Sequence, residues 1–271
     1  MREQGSYDVR ELSADDIAKH DYSLRTRGFS LLEGVVDLQE CLSMKESMLA
    51  ATNEFQPVDG VERSFLDRYQ IHDLLNKDLR FARLLEDPRL QNLLASFLGP
   101  FWTMYAATSS AVPPHGKNYA NRIHNDTARF SRDYIFNIGV IWTLDEYTEK
   151  NGALRVLPAS HHLEAAPSEE YFEENAQPVL CPPGTLIFFH AGLYHRAGEN
   201  RTDNWRCSMT MNACRSFMKP RMDWTKFIDS EIVGVLNNQA KRILGFDSRV
   251  PASLEEFFLP ENERLYKTGQ G

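Results

Sequence analysis

The strongest constraint on the fold is a change of texture at Pro100. Beyond it lie six short segments, "FWTMYAATSSAV", "YIFNIGVIWTL", "ALRVL", "PVLC", "TLIFFH" and "RCSMTMNA". They are rich in β-branched and aromatic residues and punctuated by Gly, Pro, Asn and Asp, which reads as strands. Short strands at this density predict a sandwich or barrel rather than βαβ units.

Before Pro100 the chain reads as helical. "SADDIAKHDYSLRTRGF" opens on Ser13 as an N-cap, carries acids in its first turn and stops at Gly28. "LQECLSMKESMLAATNEF" follows a helical period with Leu38, Cys41, Leu42, Met48 and Leu49 on one stripe, which Lys45 interrupts. "IHDLLNKDLRFARLLEDPRLQNLLASFLGP" predicts two helices separated at Asp87–Pro88 and ended by Gly99–Pro100. The helical period returns after Ala213, in "WTKFIDSEIVGVLNNQAKRILGF". With no repeat, low-complexity tract or linker, one domain is expected over residues 1–271. It divides into a helical N-terminal layer (about 1–100), a β core (101–215) and a C-terminal helical segment (216–271).

A length of 271 residues with 42% hydrophobic content allows one large domain. The net charge of −8 argues against nucleic acid or an anionic membrane surface as partner and is compatible with a neutral or cationic small substrate. The N-terminus has no apolar core for a signal peptide, and no run approaches the roughly 18 apolar residues of a membrane span. Cys41, Cys181, Cys207 and Cys214 lack paired CxxC spacing and read as reduced packing thiols of a cytoplasmic protein. The sequence sets no oligomeric state.

The chemistry concentrates in two stretches. In "NRIHNDTARF", a strand would turn His124 and Asp126 to one face while Asn125 points away. Such a pair is either a salt bridge or two legs of a metal site. The second stretch, Gly184 to Met211, carries His190, His195 and Arg206. Two imidazoles and one carboxylate form the facial triad of non-haem Fe(II) oxygenases, though catalytic zinc sites use the same donors. Arg206 discriminates: a lone guanidinium on the apolar strand "RCSMTM" is costly unless paired, and it suits bidentate capture of a dicarboxylate. That points to 2-oxoglutarate, whose far carboxylate needs an anchor.

With these residues in place, the sequence resembles the phytanoyl-CoA dioxygenase family of Fe(II)/2-oxoglutarate-dependent oxygenases. "HND" (His124 to Asp126), "WTLDEYTEKNGALRVLPASHH" (Trp142 to His162) and "GTLIFFHAGLYHRAGENRTDNWR" (Gly184 to Arg206) carry the resemblance, which spans the β core. It implies a double-stranded β-helix, the cupin-like jelly roll, mainly β with flanking α-helices. It implies His124, Asp126 and His195 as iron ligands, and Arg206 on the distal carboxylate of 2-oxoglutarate. Trp142 falls where the family has a tryptophan lining the co-substrate pocket, and Asn121 where relatives place a polar residue reaching the keto-acid end. Dioxygen is the second co-substrate. Ala159 departs from the glycine usual in the family's Pro-Gly-Ser-His turn. Relatives that halogenate carry a small residue at the carboxylate position, so Asp126 favours hydroxylation, or a desaturation or ring closure derived from it. The implied substrate is a small molecule; no basic cluster for a CoA phosphate is evident, and a natural-product tailoring role is expected.

The remaining residues have plainer readings. His190 is expected beside the site as a packing residue, His161 and His162 in a turn, and His115 in a solvated loop. His20 and His72 read as surface residues of helices. "RFSRDY" (Arg129 to Tyr134) is expected as a loop over the site mouth, with Arg129 and Arg132 read as solvated charges ahead of the alternative that one binds an acidic substrate group. Tyr69, Tyr105 and Trp224 are expected near the pocket wall. Two rivals remain: a cupin-like metal enzyme without 2-oxoglutarate, which leaves Arg206 without a role, and a non-catalytic binding protein, which would be expected to lose a ligand.

Overall fold

The structure is a computed structural model that describes residues 11–127 and 129–266. At its start, Ser13 accepts from the Asp16 amide and the Asp16 carboxylate accepts back from Ser13, closing a capping box on α1 (Ala14–Arg27). Gly28 ends the helix at φ 88°, a left-handed conformation that glycine adopts without Cβ strain. The next residues form β1 (Phe29–Leu32), a strand within the stretch that reads as helical. Then come α2 (Leu38–Glu54), α3 (Glu62–Leu66), α4 (Leu74–Lys77), α5 (Leu79–Arg83) and α6 (Pro88–Leu98). The single helix expected before Asp87 is broken because Asp78 adopts an extended conformation and caps α5 by accepting from the Arg80 amide.

The β region comprises β2 (Trp102–Val112), β3 (Asn137–Thr143) and β4 (Leu154–Val156). A short helix, α7 (Glu169–Asn175), precedes β5 (Gln177–Pro178), β6 (Leu186–His190), β7 (His195–Ala197) and β8 (Arg206–Arg215). The strand expected at "PVLC" is shorter and earlier, at Gln177–Pro178. In place of one C-terminal helix there are α8 (Trp224–Phe227), α9 (Ser230–Val235) and α10 (Asn238–Ile243), with α11 (Leu254–Phe257) beyond them. Asn237 makes one of these breaks by accepting from the Ala240 amide, the capping bond that competes with helix continuation.

The strands form two antiparallel sheets, β1-β6-β3-β8-β2 and β5-β4-β7, and together they are the expected jelly roll. Period-two alternation assigns each sheet two faces. Val140, Trp142, Phe188 and Met209 point from the large sheet into a core shared with α2 and α6. Ile141, Ile187 and Phe189 point the other way and meet Leu154, Val156 and Tyr147 from the small sheet and its approach. The helices therefore cover one face of the large sheet, and the space between the sheets is left for the site.

The stripe expected on α2 is rotated. Leu38 and Leu42 are exposed, while Cys41, Met44, Met48 and Ala51 are buried. The rotation brings Lys45 to the stripe's edge, where its Nζ meets Asp145 Oδ1 at 2.6 Å and the Trp205 carbonyl at 3.1 Å. Asp145 also accepts from the Cys207 amide at 2.7 Å, so the pair ties α2 to the start of β8. All four cysteines are buried and unpaired, and burial pushes the Cys207 thiol up to about 12. No helix of the described residues is long and apolar enough to cross a membrane.

Candidate metal centre

The segment holding His124 and Asp126 is not a regular strand. His124 makes a single antiparallel bridge to His195, with amide-to-carbonyl bonds of 3.0 and 2.8 Å in the two directions. The Asp126 amide donates to the Ala191 carbonyl at 2.7 Å. Backbone bonds therefore hold both halves of the site, and the side chains converge without strand geometry. His124 Nε2 lies 3.6 Å and His195 Nε2 4.0 Å from Asp126 Oδ1. One ligand atom from each of the three residues falls within 4.8 Å of the others, a spacing that could hold a metal ion.

The surroundings orient each donor. His124 Nδ1 donates to the Arg122 carbonyl at 2.8 Å, and His195 Nδ1 to the Leu193 carbonyl at 2.9 Å. With Nδ1 carrying the proton, each Nε2 keeps its lone pair for the centre. Asn212 Nδ2 donates to Asp126 Oδ2 at 3.0 Å, and Asn137 Nδ2 donates to Asn212 Oδ1 at 2.9 Å. This chain holds one carboxylate oxygen and leaves the other facing the imidazoles. Burial, then the neighbouring His195, holds His124 down to about 4 against the pull of Asp126, so its imidazole is neutral at neutral pH. Phe189 backs the His195 ring at 4.7 Å. Its own ring lies over Gly139, where a Cβ would meet it at 2.0 Å, so any larger residue there has to displace the ring.

The three side chains face a cavity of about 540 Å³ between the sheets. At its buried end is Arg206, 2% exposed. Its guanidinium donates to Tyr147 Oη (3.0 Å), Ser208 Oγ (3.0 Å), the Gly152 carbonyl (2.9 Å) and, at 3.5 Å, the Ser110 carbonyl. All four acceptors are neutral: burial pushes the Tyr147 phenol up, against the pull of Arg206, and keeps it protonated. Among the described residues no carboxylate pairs with Arg206, and its buried Nε has no hydrogen-bond partner. A buried cation lacking a counter-ion is costly, and Arg206 is such a cation among the residues lining the cavity.

Other expectations are displaced. Trp142 is fully buried among Val140, Phe188 and Met209, on the face of β3 opposite the cavity, and Ile141 takes the lining position. Strand alternation makes the two placements mutually exclusive. Asn121 also turns away: its Nδ2 donates to the Ala197 carbonyl at 2.8 Å and braces the approach to His124 against β7. His190 lies outside the cluster, in a second pocket of about 340 Å³ beside His161. His72 lines the main cavity and meets Asp67 at 3.3 Å, rather than sitting on a helix surface. His20 is half-buried against Ser30 at 2.7 Å. Tyr105 lines the cavity, whereas Tyr69 packs against Trp205 and Trp224 is buried with its Nε1 on the Met104 carbonyl. "RFSRDY" borders the second pocket through Arg129, Phe130, Ser131 and Tyr134.

Asn137, Asn212 and Ser208 were not singled out from the sequence, yet a signal for two of them is present. "RCSMTMN" alternates polar and apolar residues, and Arg206, Ser208, Thr210 and Asn212 all line the cavity.

Comparison with known proteins agrees with this architecture. An uncharacterised protein of Mycobacterium tuberculosis is 27% identical over 256 residues, covering 92% of this chain and 94% of its own. A dioxygenase of Talaromyces verruculosus is 31% identical over 123 residues, 45% of this chain and 40% of its own. Among solved structures, EctD from S. alaskensis, crystallised with 2-oxoglutarate and 5-hydroxyectoine, superposes with a TM-score of 0.59 at 20% identity, covering 75% of this chain and 76% of that one. The sequence profile of the phytanoyl-CoA dioxygenase (PhyH) family matches residues 24–208, and the chain belongs to that family of 2-oxoglutarate-dependent non-haem iron dioxygenases.

Proposed function

We propose that His124, Asp126 and His195 hold Fe(II), that Arg206 binds the distal carboxylate of 2-oxoglutarate, and that the enzyme oxidises a small molecule. Hydroxylation, or a desaturation or ring closure derived from it, is the reaction, and natural-product tailoring is the setting. The observation that carries this reading is Arg206, a buried guanidinium with neutral partners only, in the same cavity as the three convergent donors. The dioxygenase relative and the 2-oxoglutarate held by EctD support it. The continuous core from Leu24 to Leu244 supports reading the chain as a single oxygenase domain.

When bound, iron with 2-oxoglutarate and dioxygen supplies the oxidising power that no side chain has. The chain's own residues bind, orient and exclude water. The two imidazoles and one carboxylate oxygen would hold the metal, and all three residues line the cavity that a co-substrate and substrate would enter. Asn212 keeps Asp126 from turning, and the Arg122 and Leu193 carbonyls keep the imidazole tautomers fixed. Arg206, locked by Tyr147, Ser208 and Gly152, presents a preorganised fork that loses little freedom on meeting a carboxylate. Phe189, Ile141 and Leu154 make the inner wall apolar around the reacting end.

The test needs no substrate. Fe(II) and then 2-oxoglutarate are added anaerobically to the apo-protein and the visible spectrum is recorded. A weak metal-to-ligand charge-transfer band is expected. Arg206→Ala should weaken 2-oxoglutarate binding by about 100-fold or more, from the loss of two charge-assisted hydrogen bonds. A folded, iron-loaded wild type without the band refutes the reading and favours a cupin-like enzyme that leaves 2-oxoglutarate aside.

A further inference from the structure

The main cavity has a second cationic zone that the co-substrate reading does not use. Arg63, Arg122 and Arg221 line it, and among the described lining residues the only carboxylate is Asp126, already committed to the centre. Such a lining is unexpected in a chain of net charge −8, whose balance by itself suggests a neutral or cationic substrate. The three arginines come from α3, from the segment entering the metal centre, and from beyond β8, so no local basic run announces them in the sequence.

Their placement is specific. Arg63 and Arg122 both stack on the Tyr119 ring, with guanidinium carbons 5.9 and 4.7 Å from its centroid. Like charges are thus brought within about 10.6 Å of each other across one ring, the sum of those two distances. Arg63 is partly balanced by Asp67 at 3.1 Å, which also meets His72. The Arg122 carbonyl accepts from His124 Nδ1, so the root of that side chain is fixed two residues from a proposed ligand. The Arg221 amide donates to the Tyr105 carbonyl at 2.9 Å, which ties its backbone to β2. The same lining includes the apolar Ala106 and Ala107 of β2 and Met211 of β8.

We propose that the substrate is an anion, with a carboxylate or phosphate group held by Arg63, Arg122 and Arg221 while its apolar body reaches along β2 and β8 to the metal centre. The inference rests on the oxygenase reading for what happens at the far end, but the charge of the ligand is carried by these arginines alone. Guanidinium groups suit either anion, since both present paired oxygens to a planar fork. A cavity of about 540 Å³ accepts a drug-sized ligand beside the co-substrate.

The test is a titration calorimetry series on full-length protein loaded with Zn(II) and saturating 2-oxoglutarate. The probes are 6-phenylhexanoate, 5-phenylpentyl phosphate and the neutral 6-phenylhexanamide, with shorter and longer chains of each. At least one anion should bind about tenfold or more tightly than the matched amide, and the stronger of the two identifies the headgroup. The preference should vanish in Arg122→Gln/Arg221→Gln and return in part with lysine at both positions. Arg221→Gln alone, remote from the metal-bearing segment, should lose part of it and serves if the double variant does not fold. Equal binding of anions and amides, or no binding of any probe, overturns the proposal. So does a loss of 2-oxoglutarate affinity, rather than probe affinity, in the arginine variants. The Fe(II)–2-oxoglutarate band of the same wild-type preparation separates the failures. Band present with no anion preference overturns this inference alone; band absent overturns the oxygenase reading, whatever the probes show.

Discussion

His190 ends β6 beside the second pocket, in a cluster where its ring lies 4.9 Å from that of His161, which is itself 3.9 Å from His162. Its Nδ1 accepts from the Gly192 amide at 3.0 Å, and burial, reinforced by His161 and His162, holds it down to about 3. The folded state therefore resists a proton that the unfolded chain accepts near pH 6.5. The stability tied to this histidine is complete above pH 6.5 and is lost as pH falls from there toward 3. At about 1.4 kcal/mol per pH unit, lowering the pH from 7 to 5 removes about 2 kcal/mol through this one group. His161 is lowered by burial too and adds in the same direction. The measurement is urea unfolding of wild type and His190→Gln at pH 7 and pH 5, both as apo-protein under chelator. Wild type should lose about 2 kcal/mol more than the variant across that interval. His124, also lowered, contributes equally to both proteins and cancels. Equal losses would mean that the cluster shares its protons in the folded state, and the account of His190 as a buried neutral ring would be wrong.

Three further outcomes probe the site and its frame. Asn212→Ala removes the donor on Asp126 Oδ2 and should weaken divalent metal binding about 10- to 100-fold, read by Co(II) titration; an unchanged affinity would show that Asp126 needs no orienting partner. Gly139→Ala drives a methyl into the Phe189 ring that backs His195, so it should cost about 1–3 kcal/mol in unfolding free energy and loosen the metal, and adding Phe189→Leu should restore both. Ala159 sits at φ 61° in the turn before His161, so Ala159→Gly relieves left-handed strain of about 1–2 kcal/mol. Glycine's extra freedom in the unfolded chain offsets part of that gain, so a net rise of up to about 1 kcal/mol is expected by calorimetry.

The jelly roll and its helical cover were legible because both leave periodic traces. The capping box at Ser13, the stop at Gly28 and the alternating segments after Pro100 are local, and local chemistry decided them. The failures come where a tertiary partner outweighed local preference. Lys45 looks like a flaw in a helical stripe until Asp145, a hundred residues away, supplies its counter-charge and rotates α2. β1 looks like the tail of a helical layer because its strand character depends on pairing with β6. The helical period after Ala213 is real, yet Asn237 and Asp229 interrupt it by starting new helices.

Within the site, legibility followed the backbone. His124, Asp126 and His195 converge as their types suggested, but through a single bridge and a turn rather than strand alternation. Alternation on β3 and β8 sends Trp142 into the helical core and aligns Arg206, Ser208, Thr210 and Asn212 along the cavity. The polar rungs of "RCSMTMN" therefore contain both Arg206, the proposed anion anchor, and the residue that steadies Asp126, from one strand and one period. A substitution on any rung should act on the site, while one on Cys207, Met209 or Ala213 should act on the core beneath α2 and α6. The three cavity arginines obey no such period. They line one cavity from α3, the approach to His124 and the segment after β8, so their joint charge belongs to the fold and not to any stretch of sequence.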